Sequence, residues 1–331
     1  MGQGGGIPKG DIPIASRSGR TRDGNPLALS LRPRADLRPW FAWFNATDAG
    51  LPDGGIVECA MLNDLPCLRL MMGGRVKLHT KDGILQYDAR EQGVALYFGP
   101  HSQHMKVELE GEFVVLSMQI AAGAAARMGG PPMPGMVDRV IDYDKWVGHG
   151  RLADYFKVGE APSKWLRTFE GGLVELLEKA GTKPPNALAQ AFDRQCLADP
   201  TFAIRDFADE HEVSPRTLER TIKRLFGLTP KQVTRRARAL DIASAYLGIA
   251  MEDEEAEARL RFFDQSHLIR EMRFFFDQTP SQLRKQPHPM LCLNLETRQA
   301  RKAAALHDID PMELPWRDPD AEPEVLETGE M

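Results

Sequence analysis

The sequence predicts an α+β chain: an N-terminal antiparallel β sandwich or barrel with flanking helices, then an all-α domain holding two helix-turn-helix units. Three observations predict it. Apolar residues recur with a period of two from Pro39 to about Ile120, and with a helical period after Asn186. Ser214 to Phe226, SPRTLERTIKRLF, reads as a short capped helix with one apolar and one basic stripe. Its closing motif, Phe226-Gly227-Leu228-Thr229-Pro230, returns as Phe276-Asp277-Gln278-Thr279-Pro280, again closing a helix of similar apolar spacing. A length of 331 residues suits two domains, since one usually spans roughly 100–200.

Residues 1–38 are rich in Gly, Pro, Ser and Arg, so a disordered or loosely attached tail is expected, with Arg17, Arg20 and Arg22 as solvated charge. A β-rich domain is expected over residues 39–182. Its runs CLRLMMGGRVKLHT, GILQYDA, GVALYFGP, MKVELEG and EFVVLSMQI are short and alternating, separated by Gly-Gly, Asp-Gly, Gly-Pro and Glu-Gly breaks. Trp40, Phe41, Trp43 and Phe44 read as a core edge, with an aromatic-lined pocket for an apolar effector as the alternative. Helical spacing appears in SKWLRTFEGGLVELLEKA, and Pro184-Pro185 marks the linker into a domain at 186–286.

There, Phe202, Ile204, Phe207 and Ala208 outline a helix ending near His211, and only Glu212 and Val213 separate it from Ser214. Two helices joined so tightly form a helix-turn-helix, whose second helix enters the DNA major groove. Ser214 suits the N-cap, Pro215 the first helical position and Gly227 the C′ stop. Leu218, Ile222, Leu225 and Phe226 fall on one side, Arg216, Arg220 and Lys223 on the other. Gln232 to Leu247 reads as one continuous joining helix. In the second unit Leu268, Met272 and Phe275 form the buried stripe, with Ser266, Arg270 and Arg273 away from it. In the extension 287–331, a helix from Leu295 to Leu306 is expected to pack back on the second unit, before a disordered acidic end.

Charge distinguishes the two units. From Arg216 to Arg238 eight basic residues stand against the single acid Glu219, in a chain of net charge −5. Such a local excess is a candidate phosphate footprint. From Met251 to Lys285 six basic residues meet eight acidic ones, so the first unit is expected to supply most phosphate affinity and the second to add register or little.

No GxSxG, HExxH, P-loop or strand-linked GxGxxG is present, and neither catalysis nor a cofactor is expected. His79, His101 and His104 are the metal-ligand candidates, but none stand two apart, the spacing that shares one face of a strand; they read as loop or strand-end residues. Cys59, Cys67, Cys196 and Cys292 form no CxxC pair and read as reduced thiols, with a Cys59–Cys67 redox pair as the alternative. With no run of 18 apolar residues and no signal-peptide core, a cytoplasmic protein without a membrane partner is expected.

Residues from about Asn186 to Lys285 resemble the DNA-binding domain of AraC/XylS-type transcriptional regulators, through SPRTLER, RRARALDIASAYL and FFDQSHLIREMRFFFDQTPSQLRK. The resemblance implies two reading helices in successive major grooves. It puts Arg216, Glu219 and Arg220 of the first, and Gln265, Ser266, His267 and Arg270 of the second, at the bases. Lys223, Arg224, Arg235 and Arg236 are expected on phosphates. The family has Gly in each tight turn, where this chain has Glu212 and Arg261, so strain or a changed turn is expected. The acid-rich MEDEEAEARL also has Ala256 and Ala258 where larger aliphatics are usual. Less closely, YFGPHSQHMKVELEGEFVVLSMQIAAGAAARMGG and DRVIDYDKW are similar to the cupin-like sensory domains that precede such DNA-binding domains, with Ala121-Ala122 in place of Arg-Pro.

The function these expectations add up to is a sequence-specific DNA-binding transcription regulator, controlled by an effector through its N-terminal domain. Its implied partners are double-stranded promoter or operator DNA, a small-molecule effector, a second copy of the chain and RNA polymerase. Two other readings stay open. A metal-dependent cupin enzyme with an appended helical domain would hold metal that His79→Ala or His101→Ala abolishes. An interaction protein with a degenerate helix-turn-helix would lack a steep salt dependence of DNA binding.

Overall fold

Alternating runs broken by Gly-containing turns become two antiparallel sheets. The computed structural model describes residues 14–15, 28–49, 56–148, 151–156, 162–180, 183–250, 265–286 and 288–306. A seven-stranded sheet has the order β1 (Ile14–Ala15), β2 (Ala28–Leu31), β3 (Phe41–Ala49), β10 (Phe113–Ile120), β5 (Cys67–Met72), β8 (Val94–Phe98), β11 (Val140–Asp142). A four-stranded sheet has the order β4 (Ile56–Met61), β9 (Met105–Glu110), β6 (Arg75–Thr80), β7 (Gly83–Asp88). The chain crosses from β5 of the large sheet to β6 of the small one at Gly73-Gly74, both at positive φ, and a Cβ on Gly73 would lie 2.5 Å from the Glu112 carbonyl oxygen. Only glycine fits there.

The two-residue period sorts the faces of the large sheet. On one face Phe44, Leu70, Leu116 and Met118 pack under α3 (Pro162–Ala180) through Trp165, Leu166 and Phe169. On the other, Met71, Leu96, Phe98 and Val115 meet Val76, Leu78 and Val107 of the small sheet. Trp40, Phe41, Trp43 and Phe44 are all buried core residues. Short helices α1 (Met133–Met136) and α2 (Tyr143–Val147) and a 3₁₀ turn at Leu152–Tyr155 follow.

The helical half comprises α4 (Ala187–Ala198), α5 (Ile204–Glu210), α6 (Pro215–Phe226), α7 (Pro230–Tyr246), α8 (Gln265–Phe276), α9 (Pro280–Lys285) and α10 (Pro289–Leu306). Phe192 centres the first unit, with Phe202, Phe207 and Phe226 edge-on to it at 5.5, 5.4 and 5.8 Å. Leu65 and Ala122 of the β half complete that core. The second core joins Leu240 of α7, Met272 and Phe275 of α8 and Leu295 of α10 to Trp43 and Leu62 of the β half.

Two expectations change. Residues 28–38 are not a loose tail: Ala28–Leu31 pairs with β3, and Leu31 and Leu37 are buried, since a strand this short gives little periodicity to detect. And α10 packs on more than the second unit, reaching α4, α7, β3 and β4. The basic tail residues Arg17, Arg20 and Arg22, the acid-rich segment with Ala256, Ala258 and Arg261, and the acidic end after residue 306 lie outside the described residues. Among the described residues no helix is long and apolar enough to cross a membrane.

Candidate nucleic-acid interface

The first helix-turn-helix is built by its caps. Helix α5 ends in a Schellman pattern, in which the Val213 N–H donates to the Ala208 carbonyl at 3.0 Å and the Glu212 N–H to the Asp209 carbonyl at 3.1 Å. That pattern needs a left-handed residue at its C′ position, and Glu212 supplies it at φ 54°. The turn keeps its shape and the glutamate carries the strain. Ser214 then caps α6, its Oγ accepting the Thr217 N–H at 3.1 Å, with Pro215 at the first helical position. Gly227 stops α6 at φ 76° and lies so close to α1 that a Cβ would sit 2.7 Å from the Met133 carbonyl oxygen. The duplicated Thr-Pro motif is a duplicated capping box: Thr229 exchanges hydrogen bonds with Gln232, and Thr279 with Gln282.

These caps fix which face of α6 meets solvent. Leu218, Ile222, Leu225 and Phe226 are buried, while Arg216, Glu219, Arg220, Lys223 and Arg224 are exposed. Among the described residues none of those five makes a salt bridge or side-chain hydrogen bond. On α8, Leu268, Met272, Phe275 and Phe276 are buried and Gln265, Ser266, Arg270 and Arg273 exposed. His267 is partly covered, with Nε2 3.9 Å from Glu271.

The expected phosphate pair on α7 has other partners. Arg236 is only 1% exposed, and its guanidinium donates to the carbonyls of His101 and Asp64 of the β half, both at 2.6 Å. It cannot reach a phosphate. Arg235 donates bidentately to the buried Glu271, Nε to Oε2 at 2.7 Å and Nη2 to Oε1 at 2.8 Å, with its plane 4.2 Å from the Phe274 ring. It ties the joining helix to α8.

The metal-ligand candidates are dispersed. His79 Nε2 pairs with Glu108 at 3.0 Å, His104 Nδ1 lies 3.1 Å from the Phe275 carbonyl, and His101 Nδ1 accepts the Asn63 N–H at 3.2 Å. Burial, with Arg69 and Arg236 nearby, lowers the His101 pKa to about 3. Among the described residues no group of three His, Cys, Asp or Glu side chains is placed to hold a metal ion. All four cysteines are free, and burial pushes Cys59 up to about 12 and Cys67 and Cys196 above their ordinary value.

Residues 207–286 match the family model described as a helix-turn-helix domain. No curated protein matches the chain. Among solved structures it is similar to ToxT from Vibrio cholerae, at 11% identity over 72% of this chain and 97% of that one, with a TM-score of 0.41. The C-terminal domain of AraT, a response regulator from Geobacillus stearothermophilus, aligns at 17% identity over 30% of this chain and 85% of its own, with a TM-score of 0.27. A cupin domain from Bordetella pertussis aligns at 16% identity over 34% of this chain and 95% of its own, with a TM-score of 0.19.

Proposed function

We propose that this chain, which carries an AraC-type helix-turn-helix domain in its C-terminal half, is a sequence-specific DNA-binding transcription regulator. Helix α6 enters a major groove with Arg216, Glu219 and Arg220 toward base edges and Lys223 and Arg224 on phosphates. Helix α8 follows in the next groove with Gln265, Ser266, His267 and Arg270. The observation that carries this reading is the unpaired basic face of α6: four cations stand exposed on a helix whose opposite side is fully buried. A helix serving only as packing would have no need of four unpaired cations against one acid, Glu219, on its outer face.

The test is capture of genomic DNA fragments by purified protein near physiological salt, with Arg220→Ala as control. Enrichment of a few sites sharing a motif, lost in the variant, is expected. Loss of a bidentate arginine costs about 1–3 kcal/mol at its base pair. Uniform weak enrichment, unchanged in the variant, would overturn the reading.

Control by an effector belongs to the same proposal. A cavity of about 710 Å³ opens between the halves, where Arg38 and Phe41 of the β half face Arg194, His211 and Arg301 of the helical half. Arg301 in this lining is already paired with Asp193, and Glu210 shares the lining with the arginines. Among the described residues the cations without a salt bridge there are Arg38 and Arg194, and a small ligand held by them would touch both halves at once. A panel of carboxylic acids that leaves both melting temperature and DNA affinity unchanged would remove the effector. The homodimer and RNA polymerase stay with the resemblance as proposed partners.

A further inference from the structure

Helix α10 lies beyond the matched helix-turn-helix domain and has a composition that burial does not favour. Glu296, Thr297, Arg298, Gln299, Arg301 and Lys302 are each at most 5% exposed. One side of the helix, Leu291, Leu295, Ala300 and Ala303, is apolar and belongs to the second core, but burying the charges on its other side costs free energy unless each is paired. Here the partners come from both halves of the molecule.

Toward the β half, the large sheet turns polar on the face that α10 covers. On β3 the Asn45 amide donates to the Thr297 hydroxyl at 3.3 Å, and beside the sheet Asn294 donates to Asn63 of the β4–β5 loop. Between α10 and the sheet lies a cavity of about 30 Å³, lined by Ser30, Asn45, Arg69, Ser117 and Gln119 among others. Arg69 Nε and Gln119 Oε1, both on buried side chains, have no hydrogen-bond partner among the described residues. The sheet face and the helix are therefore incompletely matched.

Toward the helical half, the same helix makes a chain of buried ion pairs. Arg298 bridges Asp64 and Asp241 at 3.0 Å each, and Arg301 bridges Asp64 and Asp193 at 2.9 Å each. Asp193 lies on α4 and Asp241 on α7, whereas Asp64 lies in the β4–β5 loop, whose backbone also holds Arg236. One helix thus touches the polar sheet face and fixes both α4 and α7.

We propose that α10 is an internal latch: a separable segment that couples the polar face of the β sheet to the placement of the DNA-reading units. Among the described residues its side-chain bonds go to the β half, α4 and α7 and not to the exposed face of α6, so the latched arrangement is the one that reads DNA, with α6 and α8 both packed on α7. Withdrawing Asn294 from the β4–β5 loop and Thr297 from β3 draws Arg298 and Arg301 off their carboxylates, because a single helix carries all four. The consequence for DNA rests on the function proposed above; the coupling does not.

Two paired variants of the full chain test it without leaving a buried charge alone. On the β side Asn45→Ala with Thr297→Ala removes the tie to β3. On the helical side Asp193→Asn with Arg301→Gln removes the tie to α4 together with one of the pairs to Asp64, leaving Arg298 on Asp64 and Asp241. Amide hydrogen exchange is read across the whole chain. The expected result is that the β-side variant speeds exchange in α4 and α7 by about five- to tenfold, as the helical-side variant does, since each lost hydrogen bond contributes about 1 kcal/mol. Affinity for a selected DNA fragment should fall by a similar factor in both. Faster exchange confined to β3 in the β-side variant, with α4 and α7 unmoved, would overturn the latch. Asn294→Ala is the milder β-side variant if the pair does not fold, and the same two outcomes decide. A wild-type chain that selects no DNA would sink the regulator reading while leaving the exchange result to judge the coupling.

Discussion

Glu212 sits in the left-handed region at φ 54°, held there by the two hydrogen bonds that close α5. A non-glycine residue pays roughly 1–2 kcal/mol for that conformation, and glycine gives back part of the gain through its freer unfolded chain. Glu212→Gly should therefore stabilise the protein by about 0.5–1 kcal/mol in chemical denaturation. A destabilised variant would mean that the glutamate side chain compensates the strain. The need for φ > 0 here was legible from the family pattern alone, whereas the fate of Arg236 was legible from spacing and was missed. Arg236 stands three residues after Val233 and four before Leu240, on the buried stripe of α7. Charge drew it to the phosphates, but its position in the helix places it in the core. Arg235, one residue back and a third exposed, is held by Glu271 on an element far away in sequence, which no local pattern reveals.

At the scale of elements, α6 and α8 differ in how much free charge they present. Helix α6 offers Arg216, Arg220, Lys223 and Arg224, and α8 offers Arg270 and Arg273. Each phosphate contact adds about one unit to the slope of log affinity against log salt. Lys223→Ala should weaken binding to all sequences alike and lower that slope by about one unit, and Arg220→Ala should cost more affinity than Arg270→Ala. Equal losses for Arg220→Ala and Arg270→Ala would contradict an interface led by the first unit. The elements themselves were readable wherever caps and period agreed: Ser214, Pro215 and Gly227 bound α6 as the sequence indicates, and the repeated Thr-Pro starts α7 and α9. Strand β2 and the environment of α10 were not readable. Four residues carry too little period, and the burial of the charged side of α10 depends on partners in the β4–β5 loop, β3, α4 and α7.

In the whole molecule, the two halves meet through polar groups whose protonation is tied to folding. His101 lies in that junction, its carbonyl holding Arg236 and its ring accepting the Asn63 N–H. Its folded pKa of about 3 lies below the ordinary histidine value near 6.5, because burial and the nearby arginines disfavour the charged ring. Between those values the unfolded chain takes up a proton that the folded one refuses, so stability falls as pH drops from about 6.5 toward 3 and is flat above. Burial lowers His104 and His288 in the same direction. Asp64 acts in a lower range. Burial pushes its carboxyl up, but Arg301, Arg298 and Arg236 together outweigh it and hold the group well below the usual carboxylate value. Its contribution is therefore intact at pH 5 and lost only in stronger acid. Burial raises the Asp193 and Asp144 carboxyls, which act in the opposite sense, so the loss seen by chemical denaturation between pH 7 and pH 5 is assigned to His101 by a variant. The wild-type chain should lose stability over that interval, and His101→Asn, which keeps an acceptor for the Asn63 N–H but cannot titrate, should lose markedly less. Equal losses in the two proteins would show that the junction opens to water before the ring protonates, and that the halves are not held as one body at this point.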